Sequence, residues 1–152
     1  MSKFRRVLMS ISFLVCLFAL TSAPAFTAPP TNNDLIDALM LFAQANNSGT
    51  ITDIEEATLQ AGEPTASCAD GGTDNDSIWF KFSFPDGDIT MTIATVEAQF
   101  SAVLTLYAFP PTGLLADMVE IACVNDTGSD IVLDQALGDG MYLIRVASDD
   151  GL

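Results

Sequence analysis

The sequence predicts an all-β fold, an antiparallel β-sandwich of jelly-roll-like form. Three observations lead there: a period of two in the hydrophobic pattern from Ser77 onward, short apolar segments divided by Gly, Pro and Asp, and no convincing crossover helix between any two segments.

The elements follow in chain order. Residues 26–32 are rich in Pro and Thr and read as a short extended leader. Leu35 to Ala45 is apolar enough for a helix, with Asp34 and Asp37 well placed near its start, while the cluster Leu39-Met40-Leu41-Phe42 fits a short buried strand equally well. Asn46-Asn47-Ser48-Gly49 breaks the chain, and Ile51 to Leu59 is a further candidate strand before the turn Gly62-Glu63-Pro64. From Ser77, the residues Ile78, Phe80, Phe82 and Phe84 point one way, and Ser77, Trp79, Lys81 and Ser83 the other. Pro85-Asp86-Gly87 then makes a turn, since proline fixes one φ and glycine accepts a positive one. Ile89 to Val96 repeats the alternation, and the two segments together predict a hairpin. Strands are expected at Ala102 to Phe109, Val119 to Val124, Ser129 to Leu133 and Met141 to Val146, with turn sequences between them. After the last, Ala147-Ser148-Asp149-Asp150-Gly151 reads as a turn toward another strand. A sandwich ending there is expected to lack its last strand and leave an edge open, unless Leu39 to Phe42 fills it.

The N-terminus has a basic start (Lys3, Arg5, Arg6), an apolar run from Val7 to Leu20, and the small-residue stretch Ala23-Pro24-Ala25. That is the order of a secretory signal, so residues 1–25 are expected to be removed and the remainder to reach the periplasm, the cell surface or the medium. Cys16 belongs to the discarded apolar run, and no later segment is apolar enough to span a bilayer. Residues 26–152 then form one domain and hold two cysteines, Cys68 and Cys123, an even number in an oxidising compartment, for which a structural disulfide is the natural reading. The same residues carry all 20 acidic side chains against Lys81 and Arg145, a net charge of −18. Such a surface repels phosphate backbones and anionic lipid, which excludes nucleic acid as a partner.

The order of several short pieces resembles the bacterial pre-peptidase C-terminal domain family. These pieces are Asn33-Asp34 with Ala38, Glu56-Ala57-Thr58 with Gly62-Glu63-Pro64, Ser77 to Phe82, Val103 to Tyr107, Asn125-Asp126, and Gly140 to Val146. The resemblance covers residues 33–152 and implies a secreted, noncatalytic sandwich that assists a neighbouring domain or contacts a cell-surface component, another protein or a polysaccharide. It departs from the family at Phe100-Ser101-Ala102, where many relatives have Phe followed by Asp-Thr, and at the end of the chain.

Catalysis has little to work with. The chain has no histidine, which removes Ser-His-Asp and Cys-His arrangements and the ordinary zinc sites, and it has no glycine-rich phosphate loop. A carboxylate pair acting on a glycan is the alternative from the enzyme class, but among 20 acids no pair stands out. No cofactor is expected, with calcium as the one candidate ion. Asp70, Asp74 and Asp76 form one candidate loop and Asn125, Asp126 and Asp130 a second, although turn formation by Asx side chains accounts for both. Trp79 and Tyr107 are candidate faces for a carbohydrate-binding platform, with packing as the competing explanation.

Overall fold

A computed structural model of the chain describes residues 28–42, 54, 56–69, 74–85, 87–93, 101–125 and 131–148. Among them lie seven strands: β1 (Leu39–Leu41), β2 (Ser77–Phe84), β3 (Gly87–Ile93), β4 (Ala102–Ala108), β5 (Val119–Asn125), β6 (Ile131–Leu137) and β7 (Gly140–Ser148). They form a five-stranded sheet in the order β1-β2-β7-β4-β5 and a two-stranded sheet of β3 and β6. The two sheets pack together as a β-sandwich. Every pairing is antiparallel except β1 with β2, which corrects the expectation of a wholly antiparallel fold. No helix among the described residues is long and apolar enough to cross a membrane.

Each strand forms because its apolar residues sit on alternate positions that one core can take up. The pairing registers align Ile78, Val146, Leu104 and Val124 in one row across four strands, and Phe80, Ile144, Leu106 and Ala122 in the next. These rows face Ile131, Leu133 and Leu137 of β6, with Ile89 and Met91 of β3 packed against the same cluster. Val132, Asp134 and Ala136 of β6 are exposed. The predicted strand Ser129 to Leu133 is found as Ile131–Leu137, longer at its far end, with Asp134 and Ala136 toward water and Leu137 in the core; Ser129 and Asp130 lie outside the described residues.

The predicted hairpin between β2 and β3 is also corrected. β2 pairs with β1 and β7, β3 pairs with β6, and the connection at Pro85 carries the chain from one sheet to the other. Alternation specifies a half-buried strand and says nothing about its neighbour; both segments alternate because each lines a different wall of one core. The link Gly138-Asp139 changes sheet in the same way, so β2 with β7 and β3 with β6 form an antiparallel ribbon bent over on itself. β7 lies between β2 and β4 and is paired on both sides, and β1, a short strand, stands at the β2 end of the sheet.

Leu35–Asp37 is a 3-10 turn and Leu39–Leu41 a strand, which decides between helix and strand where the sequence left both open, but the strand is at the sheet edge and not buried as expected: Leu39, Met40 and Phe42 are exposed. Residues 43–45, which would complete the helix alternative, lie outside the described residues, as do 51–53 and 55 of the candidate strand Ile51 to Leu59, and Ile54 and Glu56 to Leu59 are in no strand. Asn32, assigned to the leader, belongs to the fold. Its backbone carbonyl accepts from Trp79 N–H at 2.9 Å, and its Nδ2 donates to the Trp79 carbonyl at 3.1 Å.

The outer face of the five-stranded sheet is covered as well. β4 is buried from Ala102 to Tyr107 and β7 from Tyr142 to Ser148, on both faces. The cover is the segment 60–69, here called the strap, aided by residues 32–38 and 115–118. The strap is fastened to β5 by the Cys68–Cys123 disulfide (Cα–Cα 5.7 Å), and Ser67 N–H donates to Glu120 Oε2 at 3.0 Å.

Two outcomes follow from this architecture. Reduction adds two hydrogens to the intact mass, and replacing both cysteines with alanine lowers unfolding free energy by up to about 4 kcal/mol, the loop-closure value for a crosslink of this span, measured by denaturant titration. Gly87 has φ 136°, so Gly87→Ala lowers stability by about 1–2 kcal/mol although a Cβ there meets nothing closer than ordinary contact with Phe84.

Candidate functional site

Under the strap, the strand registers set Trp79, Arg145, Thr105 and Cys123 side by side across β2, β7, β4 and β5. Alternation dictates this row: it is the complement of the apolar row Ile78, Val146, Leu104 and Val124 on the core face. Arg145 is 1% exposed at the middle of the sheet. A guanidinium does not shed its proton, so burial there requires anionic partners.

Two carboxylates supply them. Asp74 Oδ2 accepts from Arg145 Nη1 at 2.6 Å and from Ala66 N–H at 2.8 Å. Glu63, on the strap, brings Oε2 to 3.0 Å from Arg145 Nε, an ion-pair contact without the direction of a hydrogen bond. Both carboxylate side chains are 2% exposed. Nη1 also donates to the Pro64 carbonyl at 3.1 Å. Glu63 in turn accepts from Trp79 Nε1 at 3.1 Å, Ser77 Oγ at 2.7 Å and Gln60 N–H at 3.0 Å. The Trp79 ring lies 5.8 Å from the guanidinium carbon and 5.9 Å from the Tyr107 ring, tilted by 41°. Burial pushes the Tyr107 phenol above its ordinary value, opposed by the positive charge of Arg145.

The anticipated site residues fall as follows. Cys68 and Cys123 are bonded. Trp79 is 0% and Tyr107 1% exposed, which corrects the carbohydrate platform: neither ring offers a face to solvent, because Leu35, Ala38, Leu115, Met118 and Leu143 pack around them and Glu63 of the strap holds Trp79 Nε1. Asp74 is an ion-pair partner of Arg145, and a cation at Oδ2 would compete with the guanidinium already there. Asp76 uses its backbone carbonyl to accept from Ser148 N–H at 2.9 Å, extending the β2–β7 ladder, and Asn125 ends β5. Asp70, Asp126 and Asp130 lie outside the described residues, and no metal-holding group of three Cys, Asp or Glu side chains occurs among those that are described.

Sequence reasoning passed over Glu63 and Arg145 as site residues. The signal was present in Leu143-Ile144-Arg145-Val146, a charge on the alternate face of a strongly apolar strand, in a stretch where acids outnumber bases so heavily that a partner was assured. As arranged, the cluster neutralises a buried cation and clamps the strap. No family model, no curated protein and no solved structure matches the chain.

Arg145→Ala strands two buried carboxylates and Asp74→Ala removes one of the two that neutralise Arg145; each lowers stability by about 3–5 kcal/mol in denaturant titrations. Tyr107 adds an alkaline dependence. Its folded value is raised, so its stabilising contribution is complete below pH 10.0 and is lost as pH rises through the folded value. Tyr107→Phe therefore flattens the decline of stability above that pH in a pH series of melting curves.

Proposed function

We propose that this chain is an exported, noncatalytic accessory or interaction domain that assists a neighbouring domain or mediates contact with a cell surface, another protein or a glycan. The observation that carries the reading is the use made of the polar groups between strap and sheet: Glu63, Asp74, Arg145, Trp79 and Tyr107, the residue types that would equip a site, are buried against one another there. The disulfide, the acidic composition and the N-terminal pattern support export into an oxidising compartment. The bent ribbon of β2, β7, β3 and β6 supports a jelly-roll-like reading of the sandwich, in keeping with the resemblance to the pre-peptidase C-terminal family. No metal ion or cofactor is part of this reading.

The alternative of a glycan-acting carboxylate pair gains nothing from Glu63 and Asp74, since both face Arg145. Glycan contact without turnover would have to use a surface other than Trp79 and Tyr107.

Two measurements test the reading. Residues 1–30 fused to a phosphatase that is active only outside the cytoplasm give active enzyme in a bacterial host, and an inactive fusion removes the exported part. The purified domain releases no product from a panel of chromogenic glycosides and esters, from acid to alkaline pH. A rate proportional to protein concentration and saturable in substrate overturns the noncatalytic part.

A further inference from the structure

The strap is held by one side chain in a way that resembles a bound ligand more than a packing contact. Glu63 offers two carboxylate oxygens. Oε1 accepts from Trp79 Nε1 and Gln60 N–H, and Oε2 accepts from Ser77 Oγ and sits beside Arg145 Nε. Three of these four groups belong to the sheet, not to the strap. Strand pairing fixes them independently of the acid they hold: Trp79 is directly across from Arg145, and Ser77 lies two residues along the same face of β2. Ser77 and Trp79 are 0% exposed, so the donors stand in a walled recess where a hydrogen bond to an anion is strong and an empty place is unfavourable.

We propose that the outer face of the five-stranded sheet is a carboxylate-binding site, built from Ser77, Trp79 and Arg145 and filled intramolecularly by Glu63. The ligand class is a planar monocarboxylate, and the strap is the arm that delivers one. This goes beyond the accessory-domain reading and does not depend on it, since a receptor of this kind can exist in a catalytic or a noncatalytic protein. Removing the Glu63 side chain leaves the receptor in place and opens it to small acids from solution.

The test uses Glu63→Ala with sodium formate or acetate as the probe, against sodium chloride at equal ionic strength. Trp79 is the single tryptophan of the chain and forms part of the recess, so its fluorescence reports occupancy directly. The expected result is a saturable change in Trp79 emission together with a rise in Tm in Glu63→Ala, half-complete on the order of 1–100 mM, the range open to a ligand of a few heavy atoms. Wild type and Glu63→Gln, in which the recess is physically filled, show no such response. If Glu63→Ala is unfolded at the working temperature, the same titration is read as recovery of the folded Trp79 emission. No difference between formate and chloride in either readout, or an equal response in wild type, overturns the proposal.

Discussion

A guanidinium held dry at the centre of a sheet constrains everything laid over it. Arg145 is flanked on its own face by Trp79 and Thr105 from the neighbouring strands, neither of which carries charge. Its counterions must therefore arrive from outside the sheet, and they do so on two separate pieces of chain: Glu63 on the strap and Asp74 just ahead of β2. The remaining polar contacts follow from that requirement. Asp74 also binds Ala66 N–H, and Glu63 also binds Ser77 and Trp79, because a buried carboxylate with unfilled acceptor positions is itself unfavourable. A wholly apolar replacement of similar volume would hold comparable stability, so the ion cluster is better understood as selecting where the strap docks than as a source of net stabilisation.

The strands were largely legible and their neighbours were not. Ile78, Phe80, Phe82 and Phe84 declared a half-buried strand through their spacing, and so did Ile89 and Met91, yet these two segments face each other across the core instead of pairing. Spacing encodes which face of a strand is buried, whereas pairing depends on contacts between residues far apart in the chain, as with Ser77 and Ala147. Asp134 on the solvent face and Gln135 on the inward face hid the second half of β6, since two successive polar residues look like the start of a loop. Trp79 misled in the opposite sense. Lying opposite the phenylalanines it suggested an exposed ring, and it is the strap together with Leu35, Ala38, Leu115 and Met118, whose courses no local pattern announces, that makes that face an interior.

The charge of the chain looks different once Arg145 is placed. Beyond residue 25 there are two basic residues, and one of them is enclosed with two carboxylates. Lys81 is the other, partly exposed on β2. Residues 26–152 consequently bring almost no cation to the surface, which favours a strong negative potential there and repulsion between copies of this part at low ionic strength, an effect that salt screens within about 10 Å at 0.1 M.

The place of β7 in the sheet has a temporal meaning. β2 and β4 do not pair with each other; each meets β7, which follows both in the chain, so the middle of the large sheet has no existence until residue 148 is in hand. Ser77 must find Ala147, and Trp79 must find Arg145, across most of the domain. Closure over such separations is the kind of ordering that makes all-β domains slow to fold. Cys68 and Cys123 both precede β7, so their bond can form while the sheet is still in two parts, shortening the search by joining the strap to β5 before the central strand arrives. Arg145, carried on that late strand, is then the group whose arrival locks the strap in place.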